Sequence, residues 1–544
     1  MPDLLFDSAH NVLIYPALPG GASRRILEHI PEARDLSPAY VGGSGSTIGV
    51  PRTLRNSQVL RWLGHSVVPI ITDQNYDWPI EPGRQALPHQ KVYANFQVLH
   101  PRCFNLGDPG TMKTLSTLWA ADFLMRQHPP GEFRALIICP LTIIETVWAA
   151  AIFRNFLGRR SFEILHGTSD RRRKLLAKKP DFALINFDGV GVDAHIRKEI
   201  ILDGFSKELA EDEAIKLVIV DEARGYGDAS TARNKIARLS IGPKPYLWQL
   251  SGSPTPNKPT DCYGMAKLTN NAYGKSFKTF QAETMIKVSN FIWKPQKNGY
   301  EKARRLLVPA VRFGLDEIWQ GPPQTVQQRE VELSAAQKTS MAALKRDLQI
   351  VMESGKIIDA INEAAFRTKM LQISLGAVYD RQHREHLIDS APRLKEIEQI
   401  IDSTQRKVVV FVPLTSVIHL LFKHLSKKHG CVVINGEVPQ KQRAGIIRSF
   451  AEDPKVRVMI TDPGTTAHGV NEFVVADTIV WYGGVDKADL WKQGNDRIRR
   501  PGQLYPSTIF QIVSNQAEKE IFKRLETNTS MQGLMLDAIK RGDF

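Results

Sequence analysis

One short segment carries phosphate-binding residue types at a spacing suited to that chemistry. In NLGDPGTMKTLSTLWA (105–120), a glycine and a polar bend precede Lys113 and Thr114, which open an amphipathic segment. The pattern G-x-x-x-x-G-K-[ST] runs from Gly107 to Thr114, with Met112 in place of its last glycine. In such loops the N–H groups of a helix start cradle phosphates, the lysine reaches the β- and γ-phosphates, and the threonine ligates Mg²⁺. The segment predicts an ATP–Mg²⁺ site, although a turn of this kind also arises by chance. The residues predicted to contact the nucleotide here are Gly107, Asp108, Pro109, Gly110, Thr111, Met112, Lys113 and Thr114.

Two adjacent carboxylates follow an apolar run in KLVIVDEAR (216–224). Burying Asp221 and Glu222 without a cation would be unfavourable, so the pair favours a site that holds one. We expect Asp221 to bind the Mg²⁺ that bridges the phosphates and Glu222 to orient or deprotonate the attacking water. An acidic helix start is the alternative for any single Asp-Glu pair. That alternative loses weight because a lysine-bearing loop precedes the pair in the same predicted sheet.

Two further loops place hydroxyl groups directly after predicted strands. SGSPTPN (251–257) is a stiff turn that could respond to the γ-phosphate. TDPGTTAHGVN (461–471) could contact a phosphodiester backbone or the nucleotide through its hydroxyl and amide groups. Either loop could equally be an ordinary strand-to-helix turn, so neither is decisive alone.

A pair of arginines lies in QGNDRIRRPGQ (493–503). A helix from Gln493 to Arg500 would place Gln493, Arg497 and Arg500 on one face and end at Pro501. Two guanidinium groups on one face suit the charge that develops on a transferring phosphoryl group, which is the role of an arginine finger. A solvated basic helix end is the alternative. Arginine fingers here would reach ATP across a cleft between domains and would couple hydrolysis to domain closure.

The elements that must position these residues are two series of apolar, β-branched runs alternating with helix-like segments. Such runs are typical of parallel sheets buried on both faces, so we predict two α/β domains in tandem. Residues 1–84 are turn-rich, with a helix predicted near TLRNSQVLRWLG (53–64), and we expect a small α+β accessory domain there. Gly-Pro-Pro at 321–323 marks a break. The predicted domains are therefore 1–84, 85–320 and 321–544.

Composition favours a polyanionic partner and gives no sign of a membrane protein. The chain of 544 residues carries 72 Lys and Arg against 57 Asp and Glu, a net charge of +15. Residues 1–84 have a net charge of −1, so the basic surplus belongs to the part with the motifs and is suited to binding nucleic acid. No apolar run approaches the length of a membrane span, and four widely spaced cysteines indicate neither a zinc site nor a disulfide framework. We expect a cytoplasmic protein.

In their order and content, these segments resemble the superfamily II helicases, and within them the SWI/SNF-type ATPases. LGDPGTMKT resembles motif I, VDEAR the DEAH-like motif II, LSGSPTPN motif III, TDPGTTAHGVN motif V and QGNDRIRRPGQ motif VI. LPHQ (87–90), ALIICPLTIIETVW and KVVVFVP resemble the adenine-reading segment, motif Ia and motif IV, so that the likeness covers about 85–515. PPQTVQQREVELSAAQ and KMLQISLGAVYD look most like compact helicases encoded by bacteriophages, which would place the protein in the host cytoplasm.

The resemblance implies two RecA-like domains that close on ATP and Mg²⁺, with double-stranded or branched DNA as the track and residues 1–84 as a possible DNA-structure recognition domain. It also implies a role in the nucleotide site for Gln90, which would read adenine, and for Gly469. The residues implied in contacts with nucleic acid are Pro140, Thr142, Thr465 and Thr466.

Departures from the family pattern leave alternatives open. They are Met112 in the loop, Arg224 in place of the usual histidine of motif II, and the altered motif V. We predict an ATP-dependent DNA translocase or helicase. An RNA helicase shares the same ATPase residues, and Met112 is the feature behind a third possibility, an ATP-gated or catalytically impaired DNA-binding protein.

Overall fold

A computed structural model of the chain describes residues 4–37, 45–196, 199–289, 293–353, 360–379, 384–466, 472–485 and 487–541. Three sheets organise it, one antiparallel and two parallel. Among the helices of these ranges, none combines the length and apolar composition that crossing a bilayer requires.

The N-terminal part is a small α+β unit, as predicted. Its four strands form an antiparallel sheet in the order β1-β2-β4-β3. Apolar side chains of the sheet and its two helices form a separate core around Leu13, Ile26, Ile48 and Leu60. The elements are β1 Leu5–Asp7, β2 Val12–Leu18, α1 Gly20–His29, β3 Arg34–Asp35, β4 Ser46–Pro51 and α2 Leu54–Trp62.

The first lobe is built on a seven-stranded parallel sheet in the order β15-β5-β12-β11-β6-β8-β7. Its strands are β5 Arg102–Asn105, β6 Arg134–Cys139, β7 Phe162–Ile164, β8 Phe182–Asn186, β11 Ile215–Val220, β12 Tyr246–Leu250 and β15 Ala310–Val311. The helices of this lobe are α3 Pro88–Leu99, α4 Lys113–Met125, α5 Leu141–Ile143, α6 Ala150–Phe156, α7 Ser169–Leu176, α8 Gly204–Glu211, α9 Ala232–Ser240, α10 Tyr263–Asn270, α11 Phe277–Thr284, α12 Gly299–Arg304 and α13 Leu315–Ile318. Two small hairpins complete it: β9 His195–Ile196 with β10 Ile200–Ile201, and β13 Met285–Lys287 with β14 Trp293–Pro295.

The second lobe repeats this plan with a six-stranded parallel sheet in the order β16-β23-β22-β19-β21-β20. Its strands are β16 Gln324–Glu330, β19 Lys407–Phe411, β20 Cys431–Ile434, β21 Val458–Thr461, β22 Ala476–Trp481 and β23 Ser507–Val513, with a hairpin of β17 Ala377–Tyr379 and β18 Glu385–Leu387. Its helices are α14 Ala335–Glu353, α15 Ala360–Leu375, α16 Ala391–Ser403, α17 Thr415–Leu425, α18 Gln440–Glu452, α19 Pro463–Thr466, α20 Ala488–Asn495 and α21 Gln516–Arg541.

The central strands of both parallel sheets are buried on both faces, which explains why these strands read as continuous apolar runs. In β6, Leu136 and Ile138 pack into one hydrophobic cluster, whereas Ala135 and Ile137 pack into the cluster on the opposite face. The strands of the second lobe alternate in the same way. The predicted α/β class with two RecA-like domains is confirmed, while the exact boundaries at 84 and 320 stay a prediction.

A buried arginine ties the elements of the second lobe together. Arg393 in α16 is 1% exposed and donates hydrogen bonds to the carbonyl oxygens of Tyr482 and Ile512 at 2.6 and 2.7 Å. It also pairs with Glu518 of α21 at 2.9 Å. Strand β22, strand β23 and two helices thus share one cation.

We predict that Arg393→Ala lowers the stability of the second lobe by about 3 to 5 kcal/mol, because Glu518 becomes a buried charge without its partner. Hydrogen exchange of β22 and β23, followed by mass spectrometry, should show the loss. Arg24→Ala, which removes an exposed pair with Glu28, is the matched control and should change stability by less than about 0.5 kcal/mol. Equal effects of the two substitutions would contradict the role of Arg393.

Candidate active site between the two lobes

The segment from Gly107 to Met112, which we call the phosphate loop, follows β5 and leads into α4, as its sequence predicts. Lys113 is the first residue of α4, and its Nζ donates to the carbonyl oxygens of Gly107 at 2.6 Å and Asp108 at 2.9 Å. Burial lowers the pKa of Lys113, against the opposing effect of Asp221 and Glu222. The lysine therefore lies inside the loop, where it could exchange these carbonyl contacts for phosphate oxygens.

A tyrosine of α3 holds the loop from behind. The Tyr93 hydroxyl donates to Thr111 Oγ1 at 3.1 Å and accepts a hydrogen bond from the Phe313 amide at 3.2 Å. A Cβ on Gly107 would lie 1.9 Å from the Tyr93 hydroxyl oxygen, so only glycine fits there. Tyr93 carried no motif signal in the sequence, because it lies outside the loop that it supports.

Met112 adopts a left-handed backbone conformation, with φ 59° and ψ 35°. This conformation places its Cβ close to the following carbonyl and costs a non-glycine residue roughly 1 to 2 kcal/mol. The side chain points toward solvent and is 39% exposed. The last glycine of the motif therefore corresponds to a position that requires a left-handed backbone. In this chain a strained methionine occupies that position.

The two carboxylates lie beside the phosphate loop at the same edge of the sheet. Strands β5, β12 and β11 are parallel neighbours, so the loops that follow them meet at their carboxyl ends. Asp221 accepts a hydrogen bond from Trp148 Nε1 at 2.9 Å. Burial, followed by repulsion from Glu222, raises the pKa of Asp221 to about 6. A carboxylate held in this way is poised to bind a cation.

The loop after β12 packs directly on the phosphate loop. A Cβ on Gly252 would meet the Pro109 ring at 2.9 Å, so the two loops touch where the glycine allows it. Asn257, at the far end of SGSPTPN, accepts a hydrogen bond from the Ala488 amide of the second lobe at 3.4 Å. This loop therefore connects the phosphate loop to α20.

The arginines of QGNDRIRRPGQ come from a turn, and the helix expected through Arg500 ends earlier, at Asn495. The Asn495 side chain accepts a hydrogen bond from buried Trp481 at 2.8 Å, and Gly494 and Asn495 have low helix propensity. The expectation of one continuous helix face was therefore wrong. The turn nevertheless directs both arginines toward the first lobe.

Arg497 is buried and Arg500 is half-buried against the first lobe. Burial, followed by repulsion from Arg500, lowers the pKa of Arg497 to about 9, while Glu222 acts in the opposite direction. The Cβ of Arg500 lies 3.7 Å from the position that a Cβ on Gly110 would take, and Gly110 has φ +83°. Arg500 thus lies at the phosphate loop, and Arg497 lies near Glu222.

Asp108 of the phosphate loop joins the lobes through a charge cluster. Its carboxylate lies 3.4 Å from Lys492 Nζ of α20 and 3.6 Å from Arg312, and accepts a hydrogen bond from the Leu315 amide at 3.2 Å. Burial alone would raise the pKa of Asp108, but Lys492 and Arg312 outweigh it and the pKa is lowered. Sequence reading missed both cations; Lys492 lies just before the arginine motif, which is the one signal that could have found it.

A second ion pair crosses the cleft at the motif II departure. Arg224 pairs with Asp489 of α20, whose side chain is 5% exposed. Arg224 follows Glu222 by two residues, and Asp489 precedes Lys492 by three. This ion pair therefore joins motif II to the start of α20. The sequence singled out Arg224 as a departure from the family pattern but gave no sign of Asp489.

The other predicted site residues lie as follows. Gln90 is buried in the first turn of α3, where its side chain accepts a hydrogen bond from the Leu87 amide at 3.0 Å. Thr114 is half-buried in the first turn of α4. Pro140 and Thr142 begin the helical segment after β6. These placements leave their predicted roles untested.

In the loop after β21, Thr465 donates to Asp462 at 3.0 Å. Thr466 is buried, with its hydroxyl 2.9 Å from that of Thr461. Gly469 lies outside the described residues. The nucleic-acid contacts predicted for Thr465 and Thr466 remain predictions.

Comparison with known proteins identifies the family. Residues 102–386 match the model of the SNF2-related domain, and residues 392–502 match that of the helicase conserved C-terminal domain. The chain therefore belongs to the SNF2 family of superfamily II helicases.

Its relatives include a phage protein. The chain is 22% identical over 476 residues to protein p41 of Acyrthosiphon pisum secondary endosymbiont phage 1, covering 84% of this chain and 98% of p41. It is also 22% identical over 449 residues to the human DNA annealing helicase and endonuclease ZRANB3, covering 79% of this chain but only 38% of that protein. Among solved structures, the Sulfolobus solfataricus SWI2/SNF2 ATPase core in complex with dsDNA matches 86% of this chain and 95% of its own, at 18% identity and a TM-score of 0.39.

We predict that Met112→Gly raises the free energy of unfolding by up to about 1 kcal/mol. Relief of the left-handed strain is worth roughly 1 to 2 kcal/mol, and the greater freedom of glycine in the unfolded chain offsets part of it. Met112→Ala, which keeps the Cβ, is the control and should give no gain. Urea unfolding of the three proteins would show this, and an equal gain from alanine would mean that the side chain, not the backbone, is strained.

We predict that Arg224→Ala loosens the contact between the lobes, because it leaves Asp489 buried without its cation. Small-angle X-ray scattering of the nucleotide-free protein should give a larger radius of gyration. Adding Asp489→Asn should recover part of the compactness. The control Arg173→Ala removes an exposed pair with Glu208 inside the first lobe and should leave the radius unchanged. An unchanged radius for Arg224→Ala would show that the pair does not hold the lobes together.

Proposed function

We propose that this protein is an ATP-driven DNA translocase that moves along, or remodels, double-stranded or branched DNA. The observation that carries the proposal is the convergence of Lys113, Asp221 and Glu222 from the first lobe with Arg497 and Arg500 from the second. Family membership and the +15 net charge support DNA as the polyanionic partner. The p41 relative supports a phage origin, and with it action in the host cytoplasm.

The side chains suit an ATP–Mg²⁺ complex. Lys113, Arg497 and Arg500 would supply positive charge for phosphate oxygens, and Asp221 and Thr114 would supply the oxygen ligands that Mg²⁺ prefers. When bound, Mg²⁺ would neutralise charge on the phosphates. Gln90 would bind adenine, and the loop from Gly107 to Met112 would surround the phosphates.

Hydrolysis would use groups from both lobes. Glu222 would orient the attacking water and accept its proton, while Arg497 and Arg500 would stabilise the charge on the transferring phosphoryl group. The arginines reach the site only when the lobes meet. ATP binding would therefore close the cleft, and hydrolysis with release of the products would open it. Pro140, Thr142, Thr465 and Thr466, with Gly469 near the nucleotide, would pass that motion to the DNA backbone.

The test is ATP hydrolysis measured with duplex DNA, single-stranded DNA, RNA and no nucleic acid. We expect stimulation by DNA, loss of activity in Lys113→Ala, and a loss of roughly 10³-fold or more in Arg497→Ala. Stimulation by RNA alone would identify an RNA helicase. Hydrolysis that no nucleic acid stimulates would contradict a motor, and activity that survives Lys113→Ala would mean that the site is elsewhere.

The pKa of Asp221 predicts a pH dependence of stability. Below about pH 4 the group is protonated in both the folded and the unfolded chain. Between pH 4 and 6 the unfolded chain ionises first, so the nucleotide-free protein should lose on the order of 3 kcal/mol as pH rises through this window. Thermal unfolding of Asp221→Asn should lack that loss, and Mg²⁺ should restore stability above pH 6 in the native chain alone. Identical pH profiles for the two proteins would contradict the assignment.

A further inference from the structure

A groove of about 750 Å³ lies at the seam between the N-terminal unit and the first lobe. Its walls include Arg55, Arg61 and Trp62 on one side and His100, Arg102 and Tyr273 on the other. We call this the seam groove. It is separate from the ATP site: Arg102 opens β5, whereas the phosphate loop follows that strand, about 15 Å further along.

The seam groove is positively charged. None of its lining residues is an aspartate or a glutamate. The Arg102 guanidinium donates to three carbonyl oxygens, those of Thr269, Lys244 and Leu268. Within the described ranges, no carboxylate pairs with Arg55, Arg61 or Arg102. Although residues 1–84 are nearly neutral, helix α2 itself contains Arg55 and Arg61 and no acidic residue.

Two aromatic rings stand exposed at the seam groove. Trp62 is 69% exposed and Tyr273 is 55% exposed, which is unusual for large rings in a folded protein. The Tyr273 hydroxyl donates to the Val308 carbonyl at 2.7 Å, which fixes the ring in place. The Trp62 ring lies 5.3 Å from the His29 ring, measured between centroids, and most of its surface remains open to solvent. Both rings therefore retain open surface for a flat ligand.

The wall formed by α2 is fixed to the first lobe. Gln58 Nε2 donates to the Val98 carbonyl at 2.7 Å and to the Tyr246 hydroxyl at 3.2 Å. Arg55, Gln58 and Trp62 follow the i, i+3, i+7 spacing of one helix face, so Arg55 and Trp62 lie about 10 Å apart along that face. A cation and an aromatic ring are thus presented together on a rigid surface.

We propose that the seam groove binds a single strand of DNA. Bases would stack on Trp62 and Tyr273, and phosphates would contact Arg55 and Arg61, the combination by which proteins hold unpaired strands. The proposal rests on the proposed function for its choice of polymer, but binding here needs neither ATP nor hydrolysis. The groove would hold one unpaired strand of a branched substrate away from the ATP cleft.

The test is fluorescence anisotropy of a labelled oligothymidylate with the full chain in the absence of nucleotide. Trp62→Ala should weaken binding about tenfold, because stacking of one base is worth that much. Arg55→Ala should weaken it and reduce the slope of log affinity against log salt by about 0.7. The matched control is Phe153→Ala, which removes a 56% exposed ring on α6 outside the groove and should leave affinity unchanged.

Wild-type affinity in Trp62→Ala, or an equal loss in Phe153→Ala, would overturn the proposal. So would an oligoglutamate that binds as tightly as the oligothymidylate and loses affinity equally in Trp62→Ala, since the groove would then take an acidic peptide. ATP hydrolysis stimulated by blunt duplex should be the same in Trp62→Ala and wild type. Failure of the motor would appear in that assay, whereas failure of the seam groove would appear in anisotropy alone.

Discussion

Burial of opposite charges between the two lobes is the constraint on which the arrangement of the site depends. Arg497 is buried, and Lys113, Arg500, Asp221 and Glu222 are half-buried. At such depth each charge is more stable beside an opposite charge than alone. The charges of one lobe are stabilised by those of the other. Burial lowers the pKa of Arg497 overall, although Glu222 of the first lobe favours its charged form. Burial likewise raises the pKa of Asp221, so each group is suited to a ligand of opposite charge.

The two parallel sheets position the charged groups that meet between the lobes. In the first lobe, the neighbouring strands β5, β12 and β11 end at the same edge of the sheet. The three loops that follow them therefore form one surface, because the parallel sheet alone brings them together. In the second lobe, α20 carries Asp489 and Lys492, and the turn after it carries both arginines. The ion pair of Lys492 with Asp108 holds that helix against the phosphate loop, and the ion pair of Asp489 with Arg224 holds it against motif II.

Local patterns were enough to predict the α/β class, two domains in tandem and the loops that bear Lys113, Asp221 and Glu222. That the domains are RecA-like was implied by the resemblance to the SWI/SNF-type ATPases. They failed where tertiary contacts decide. The end of α20 at Asn495 depends on its bond to Trp481, a residue of another element. Likewise, Lys492, one partner of Asp108, and Asp489, the partner of Arg224, come from the opposite lobe and lie hundreds of residues away. No spacing along the chain predicts these pairs. Met112 is intermediate: the motif showed which position was irregular, but only the backbone showed that it is left-handed.

The shared site is tested most directly by hydrogen exchange of the full chain with and without a non-hydrolysable ATP analogue and Mg²⁺. If both lobes form one nucleotide site, exchange should slow together in the phosphate loop, around residues 107–114, and in the arginine turn, around residues 493–500. Protection confined to the first lobe would contradict a site completed by Arg497 and Arg500.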